Sequence, residues 1–285
     1  MRCHTSLFAS VERSLPAQLS RRVSLTPIAA AALLLMSLSF VACGSGNSNN
    51  NESTGPQPLC ADPTIVACAD QAIDLITLYG TVAPGLLTNT DQGGGVWTTE
   101  VDATAGGSSP TKSYVYAAFG DQGLAKIELS DEAAFTDMTW DIAFRRYIIR
   151  TNGGDSGPSC TSVAALPTAA EFDSVLSVPT DVTYNQDDFM TETCALLGDG
   201  SGLDGAPSVP TGPFWHREDN AMGGCLQMTG RVFVLALRSA RHVRLVVEHY
   251  YNPTDQEACN TDPANFNPMQ QHGSGHLGLR WALLD

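Results

Sequence analysis

From Trp97 to the C-terminus the chain reads as short runs of alternating apolar and polar residues, broken by Gly, Pro, Ser and Asp. That is the pattern of half-buried strands joined by turns. Val96–Asp102, Lys112–Phe119 and Leu124–Leu129 are strand candidates, with Gly120-Asp121-Gln122-Gly123 turning between the last two. Across Met138–Arg150, Trp140, Ile142, Phe144 and Ile148 alternate with Asp141, Ala143, Arg145 and Tyr147. Arg231–Arg238 and His242–Tyr251 read as a hairpin around Ser239–Arg241, and His276–Leu284 as a closing strand. Two stretches read as short helices. Asp62-Pro63 can cap and open one in which Ile65, Ala69, Ala72, Ile73 and Ile76 recur at helical spacing, with Gly80 as the stop. Thr168-Ala-Ala-Glu171 is a capping box for another, ending near Leu176. Residues 83–95 and 198–213 are rich in turn-forming residues and read as linker and loop.

The N-terminus follows a different pattern. Arg2, Arg13, Arg21 and Arg22 precede an apolar run, Ile28–Ala42, interrupted by Ser37 and Ser39. The run suits a signal peptide and is short for a membrane span. It ends Phe40-Val41-Ala42-Cys43-Gly44, which resembles the lipobox of lipoprotein signal peptides, with Cys43 as the lipid-modified residue. Gly44 to Pro58 is mostly Gly, Ser, Asn and Pro, a tether composition. The expected organisation is therefore a signal peptide over 1–42 and a flexible tether over 43–58. A short helical segment and linker over 59–95 and a β domain over 96–285 follow. The expected location is the outer membrane, with the chain held by its lipid on the periplasmic or cell-surface face.

Composition narrows the partners. Loss of residues 1–42 leaves 11 basic residues against 29 acidic ones, a net charge of −18. That disfavours nucleic acid and leaves the lipid as the expected contact with the membrane. Six cysteines remain beyond Cys43: Cys60, Cys68, Cys160, Cys194, Cys225 and Cys259. An even number in an exported chain points to disulfides. Proximity in sequence favours Cys60 with Cys68, the other pairings staying open.

Several stretches look like chemistry. Gly154-Asp155-Ser156-Gly157-Pro158 is similar to the nucleophile segment of chymotrypsin-like proteases. That mechanism needs a histidine base, and no histidine lies between His4 and His216. Asp199-x-Ser201-x-Leu203-Asp204-Gly205 hints at a calcium loop, but Leu203 stands where an oxygen ligand belongs. His272 and His276 are separated by Gly-Ser-Gly and read as a loop rather than a chelate. His249 shares a strand face with Val243, Leu245 and Val247 and reads as a satisfied histidine. Trp215, His216, Met222 and Met228 combine an aromatic ring, an imidazole and two thioethers. Imidazole and thioether both ligate haem iron. With no phosphate loop or metal motif in the sequence, the expectation is a non-enzyme.

Thr139-Trp140-Asp141-Ile142-Ala143-Phe144-Arg145-Arg146-Tyr147, then Arg150-Thr151-Asn152-Gly153-Gly154-Asp155-Ser156-Gly157, resembles the signature of the HmuY family of haem-binding lipoproteins. Glu100–Ala103, Tyr114–Tyr116, Val178–Thr180, Trp215, Gly230–Val234, Tyr250-Tyr251 and Ser274–Trp281 follow the same family order. The resemblance implies a mostly β, single-domain fold like an open hand, with β-hairpin fingers and one or two short helices. It implies an envelope-anchored protein that scavenges haem for iron acquisition without catalysis, with an outer-membrane receptor as a further partner. It also implies two axial iron ligands, His or Met, and Trp215 in the pocket wall. Met222 is the first candidate ligand, His216 the second and Met190 the third. The alternative is a structural or binding module for a ligand other than haem.

Overall fold

Alternation of period two sends successive side chains to opposite faces of a strand, and here it builds three antiparallel sheets. The computed structural model describes residues 59–104, 113–197, 214–220, 224–267 and 272–284. Cys43, Met222 and the loop 198–213 with its calcium-like residues lie outside the described residues, as does the signal segment. The strands in chain order are β1 (Leu87–Gly93), β2 (Val96–Asp102), β3 (Val115–Gly120), β4 (Gly123–Ile127), β5 (Ile142–Arg145) and β6 (Ile148–Thr151). They continue with β7 (Ser162–Ala165), β8 (Trp215–Glu218), β9 (Cys225–Met228), β10 (Val232–Ala236), β11 (His242–His249) and β12 (His276–Leu284). Six strands pair in the order β1-β2-β12-β11-β10-β7, four in the order β4-β3-β5-β6, and β8 pairs with β9 alone. The mostly β fold class expected from the sequence is the one observed.

The main core lies between the two larger sheets. Val101, Phe233, Leu235, Val243, Leu245, Leu279 and Trp281 of the first meet Val115, Ala117, Phe119, Ile142, Phe144 and Ile149 of the second. Both sheets are also covered on their outer faces. Leu166, Phe172 and Val175 lie over Val232, Val234, Val246 and Ala282 of the six-stranded sheet. Ala72, Ile76, Phe189 and Met190 lie over Tyr114, Tyr116 and Ala143 of the four-stranded one. This double cover explains why β11 is buried almost continuously instead of alternating.

The strand expectations for Val96–Asp102, the 231–251 hairpin and His276–Leu284 match observed elements; four other expectations need correction. The helix expected from Asp62 is α1 (Ala69–Leu75). Residues before it are drawn along the body, with Thr64 N–H donating to Pro158 O, and Ile65 is 90 % exposed. Residues 83–95, read as linker, contain β1, so the sheet begins before Val96. The glycines make only the turn, Gly93, Gly94 and Gly95 all having positive φ. The alternation over Met138–Arg150 is split into β5 and β6 by a two-residue turn, Arg146-Tyr147, with Arg146 at φ +54°. The capping box at Thr168 yields only a 3-10 turn, Phe172–Ser174. Arg244 explains its hold on the sheet, donating to Phe172 O at 2.8 Å and Val175 O at 2.9 Å.

The disulfides are Cys60–Cys160, Cys68–Cys194 and Cys225–Cys259. The expected Cys60–Cys68 pair is not formed, because the extended stretch between them carries each sulfur to a different part of the body. The first two close loops of 100 and 126 residues. In the loop-entropy account each such closure contributes about 4–5 kcal/mol. Arg145 adds a third tie to the N-terminal segment, donating to Thr77 O at 2.8 Å and Ile76 O at 3.0 Å beyond the end of α1.

The Gly-Asp-Ser-Gly segment is a buried polar knot. Arg150 is fully buried, its Nε donating to Ser156 Oγ and its Nη2 to Ser156 O, both at 3.0 Å. Ser156 Oγ donates in turn to the Asp187 carboxylate. Asp187 also accepts from Thr151 N–H at 3.0 Å and Thr151 Oγ1 at 2.9 Å. Next to it, Asp155 Oδ2 accepts from Phe189 N–H and Met190 N–H, both at 2.7 Å. Backbone crowding demands the glycines: a Cβ on Gly153 would sit 2.2 Å from Thr161 O, and one on Gly154 2.0 Å from Asp187 O. Ser156 thus points its hydroxyl at a structural carboxylate.

Two predictions follow from this knot. Arg150→Met removes the cation from a buried carboxylate and hydroxyl, and should cost about 3–5 kcal/mol in urea unfolding. A loss below about 1 kcal/mol would show that the knot is not a stabilising centre. The second concerns pH. Burial raises Asp187 and Asp141 from 3.8 to about 6. Between those values the folded chain holds protons that the unfolded chain has released, so stability from this source falls as pH rises through that window. Burial works to lower His249, but its bonds to Glu100 raise it overall. Its contribution is present below the ordinary histidine value and lost as pH rises through its folded value, which is the same direction. The melting temperature should therefore be higher at about pH 5 than at about pH 7.5, as read by circular dichroism.

Candidate functional site at the β8–β9 hairpin

In the β8–β9 hairpin, Trp215 lies opposite Met228 and Arg217 opposite Leu226, while His216 faces Gln227 and Glu218 faces Cys225. Alternation therefore divides it into a Trp215–Arg217 face and a His216–Glu218 face. The first face is turned to the body. Trp215 Nε1 donates to Tyr147 O at 2.9 Å, and its ring meets the Tyr147 ring edge-on at 5.6 Å. Trp215 and Met228 pack against the main core, and Leu226 N–H donates to the Tyr251 hydroxyl at 3.2 Å.

On the second face, Cys225 is joined to Cys259 of α3 (Pro253–Thr261). Gln227 Nε2 donates to Cys259 O and Asn260 O, both at 3.1 Å. Near the tip, Asn220 Nδ2 reaches Pro263 O at 2.6 Å and Phe266 O at 2.8 Å, while Asn220 Oδ1 accepts from Gly224 N–H. Gly224 has φ +78°, and a Cβ there would stand 2.1 Å from Glu218 O. A disulfide, two side-chain clamps and an obligatory glycine thus fix the loop end of the hairpin.

His216 is half-exposed on this fixed strand, its Nε2 3.6 Å from Glu218 Oε1. Trp215 and His216, grouped by sequence, are presented to opposite sides. Met190 is not brought to them. It is buried in the separate cluster beneath α1, its N–H bound to Asp155. It therefore lies apart from His216, the other candidate ligand among the described residues. His249 is satisfied as expected, with Nδ1 facing Tyr251 O at 2.7 Å and Nε2 facing Glu100 at 3.1 Å. His272 lies 2.6 Å from Asn267 O through Nε2, and His276 2.9 Å from Gly273 O through Nδ1, each in its own local turn. Among the described residues no cluster of three His, Cys, Asp or Glu could hold a bare metal ion.

The β5–β6 turn supplies residues that the sequence reading did not place at the site. Arg146 N–H donates to Ala103 O at 2.8 Å, fixing a turn whose guanidinium lies 5.8 Å from the Tyr147 ring centre. Arg146 Nη2 donates to the Tyr250 hydroxyl at 3.3 Å. Burial raises the phenols of Tyr147, Tyr250 and Tyr251, and Arg146 pulls against it at all three. Arg217 does the same at Tyr147 and Tyr251. Arg217 itself pairs with Asp219 at 2.8 Å. Tyr147 lies 68 residues from Trp215, and Arg146 lies 104 from Tyr250. Local spacing carries no signal of either contact.

The hairpin is thus braced against a doubly covered pair of antiparallel sheets. The sequence profile of the HmuY protein family matches residues 110–262. The chain belongs to the HmuY family. No curated protein matches the chain. Among solved structures, a candidate HmuY-like haem-binding protein from Bacteroides vulgatus shares 16 % identity at TM-score 0.43, covering 69 % of this chain and 96 % of that one. A candidate lipoprotein from Bacteroides fragilis shares 17 % at TM-score 0.43, covering 68 % and 92 %. The apo HmuY analog of Tannerella forsythia shares 16 % at TM-score 0.34, covering 72 % and 98 %.

Proposed function

We propose that the protein is a lipid-anchored envelope protein that captures haem at the β8–β9 hairpin and performs no chemistry on the porphyrin. Membership of the HmuY family motivates the ligand. The observation that carries the reading is His216, a half-exposed imidazole on β8, whose partner strand β9 is held by a disulfide to α3. The donor types fit: imidazole and thioether each ligate haem iron, His216 lies on β8, and Met222 follows it by six residues in the sequence. Met222 is the first candidate ligand and His216 the second. No described helix is long and apolar enough to cross a membrane, and the proposed attachment is the lipid on Cys43. An outer-membrane location and transfer of the haem to a receptor there complete the reading.

A second reading, a module of this family for another ligand, is favoured by one observation. Met190, a candidate for the far side of the iron, lies buried in the separate cluster beneath α1.

Haemin titrated into the protein at micromolar concentration should give a sharpened, shifted Soret band. Met222→Ala or His216→Ala should weaken binding about tenfold or more, whichever supplies the iron ligand. An unchanged haemin spectrum would favour the second reading. Cys43→Ser should move the exported protein from the membrane fraction to the soluble envelope fraction; continued sedimentation with membranes would contradict lipid anchoring.

A further inference from the structure

The six-stranded sheet carries an irregularity where β11 ends. Val247 pairs with Leu279 but His249 pairs with Gly278, so β11 advances two residues while β12 advances one. Glu248 is the extra residue of a β-bulge. The bulge turns His249 away from the inward face of Val247 and onto the face of Gly278 and its neighbour Glu100. Bulges that re-aim a side chain are over-represented beside functional sites. Gly278 makes room for the ring: a Cβ there would stand 2.0 Å from His249 Nε2. The imidazole is buried in the place so made.

Both ring nitrogens meet oxygens there. Nδ1 faces the carbonyls of Tyr251 at 2.7 Å and His276 at 3.2 Å, and Nε2 faces the Glu100 carboxylate at 3.1 Å. A carbonyl only accepts, and so does an ionised carboxylate. The three bonds are therefore complete only when both nitrogens carry hydrogen, which is the imidazolium. Loss of one proton sets a lone pair against an oxygen. Burial disfavours the charge, but Glu100 and the two carbonyls outweigh it and raise the imidazole above its ordinary value. The other charged groups of this face have partners of their own. Arg280 is held by Asp173, and Asp102 by Thr104. The His276 ring turns to Gly273 O, and His272 lies 3.1 Å from Asp255 of α3. Glu248 on the bulge is exposed. Burial raises the phenols of Tyr250 and Tyr251, which leaves them neutral through this range.

The ring ties together the end of the molecule that carries the hairpin. It joins β2 and β12 to Tyr251, whose hydroxyl accepts from Leu226 N–H of β9 at 3.2 Å. Gln256 of α3 completes the linkage, accepting from Tyr250 N–H and Tyr251 N–H and donating to Leu226 O at 2.8 Å. We propose that His249 is a proton-operated latch: as imidazolium it holds Tyr251, and through it the β8–β9 hairpin, and on losing its proton it releases them. The latch tightens as pH falls and opens as pH rises through the folded-state value. A hairpin freed from Tyr251 is less preorganised, so a ligand held there is retained in mild acid and given up in mild alkali. That last step rests on the reading of the hairpin as the site; the latch itself does not.

The test is amide hydrogen exchange of the β8–β9 backbone in the ligand-free protein from about pH 5.5 to about pH 9, corrected for intrinsic rates and read relative to β10. The reference to β10 removes the general change in stability that Asp141 and Asp187 impose. Relative protection of the hairpin should fall about tenfold across the range, the scale of one charge-assisted hydrogen bond. His249→Gln should abolish the fall. Glu100 is exposed, so Glu100→Gln tests the latch even if the His249 variant folds poorly; it should move the midpoint to lower pH. The His249 ring resonances of the native chain should titrate at the midpoint of the exchange profile. A flat profile in the native chain, or a midpoint unmoved by Glu100→Gln, overturns the latch. No porphyrin enters the experiment, so the two readings separate. A haemin Soret band with a flat exchange profile leaves the haem reading standing and overturns the latch. The expected profile with no haemin band supports the latch and removes haem as the ligand.

Discussion

Arg150 sits in the interior with essentially no exposure, and much of the fold is arranged around keeping that charge compensated. A buried cation is tolerated only with a well-placed partner and satisfied donors. Ser156 takes the bonds of Nε and Nη2 and is backed by the Asp187 carboxylate, which Thr151 holds on its far side, while Nη1 makes no hydrogen bond and the guanidinium lies 5.0 Å from the Tyr114 ring. To reach Arg150, the segment after β6 must fold back in a tight turn, which is why Gly153 and Gly154 have no room for a side chain. To reach Ser156, the chain around Asp187 must lie along β6, and that placement carries Phe189 and Met190 into the second cluster. Cys194 follows a few residues on and locks Cys68 and α1 against the same sheet. One compensated charge thus ties the four-stranded sheet to the elements that cover its outer face.

The other end of that sheet positions the candidate site. The β5–β6 turn is pinned by Arg146 to Ala103, at the end of β2, and its Tyr147 carbonyl receives the Trp215 indole. The hairpin is then held on its opposite face by Cys225–Cys259 and at its tip by Asn220. It therefore takes its orientation from both large sheets and from α3. A binding strand held in this way loses little freedom when it meets a ligand, which favours affinity through preorganisation.

The fold was legible where local pattern decides structure. β2 was readable from its alternation, and β10, β11 and β12 as short, mostly apolar runs bounded by turn residues. The split between β5 and β6 was not, because Arg146-Tyr147 keeps the alternation going while its backbone reverses through a positive φ that favours glycine. The capping box at Thr168 misled for a different reason: tertiary bonds from Arg244 to the carbonyls of Phe172 and Val175 outweigh a local helix signal. β1 was hidden because three consecutive glycines dominate the composition of a segment they merely terminate. In the candidate site, His216 and Trp215 were visible as residue types, but their opposite orientations required the register with β9. Arg146 was visible only as part of a motif, since Tyr250, the phenol its guanidinium bonds, lies 104 residues away.

The same distinction explains why a clear family signature coexists with an unsettled ligand set. The block from Trp140 to Gly157 performs structural tasks in this molecule. The Trp140 indole donates to Ala134 O, Asp141 accepts from Phe119 N–H, Arg145 secures the N-terminal segment, and Asn152 spans Asp137 O and Trp140 O. Gly153, Gly154 and Ser156 build the knot around Arg150. Residues that solve a folding problem constrain one another closely, because each fills a partner's hydrogen bonds in a space without water. The half-exposed His216 of the β8–β9 hairpin is outside this set of buried bonds, its Nε2 facing the exposed Glu218. The signature accordingly identifies the scaffold, because the residues that compose it are the ones that hold the scaffold together.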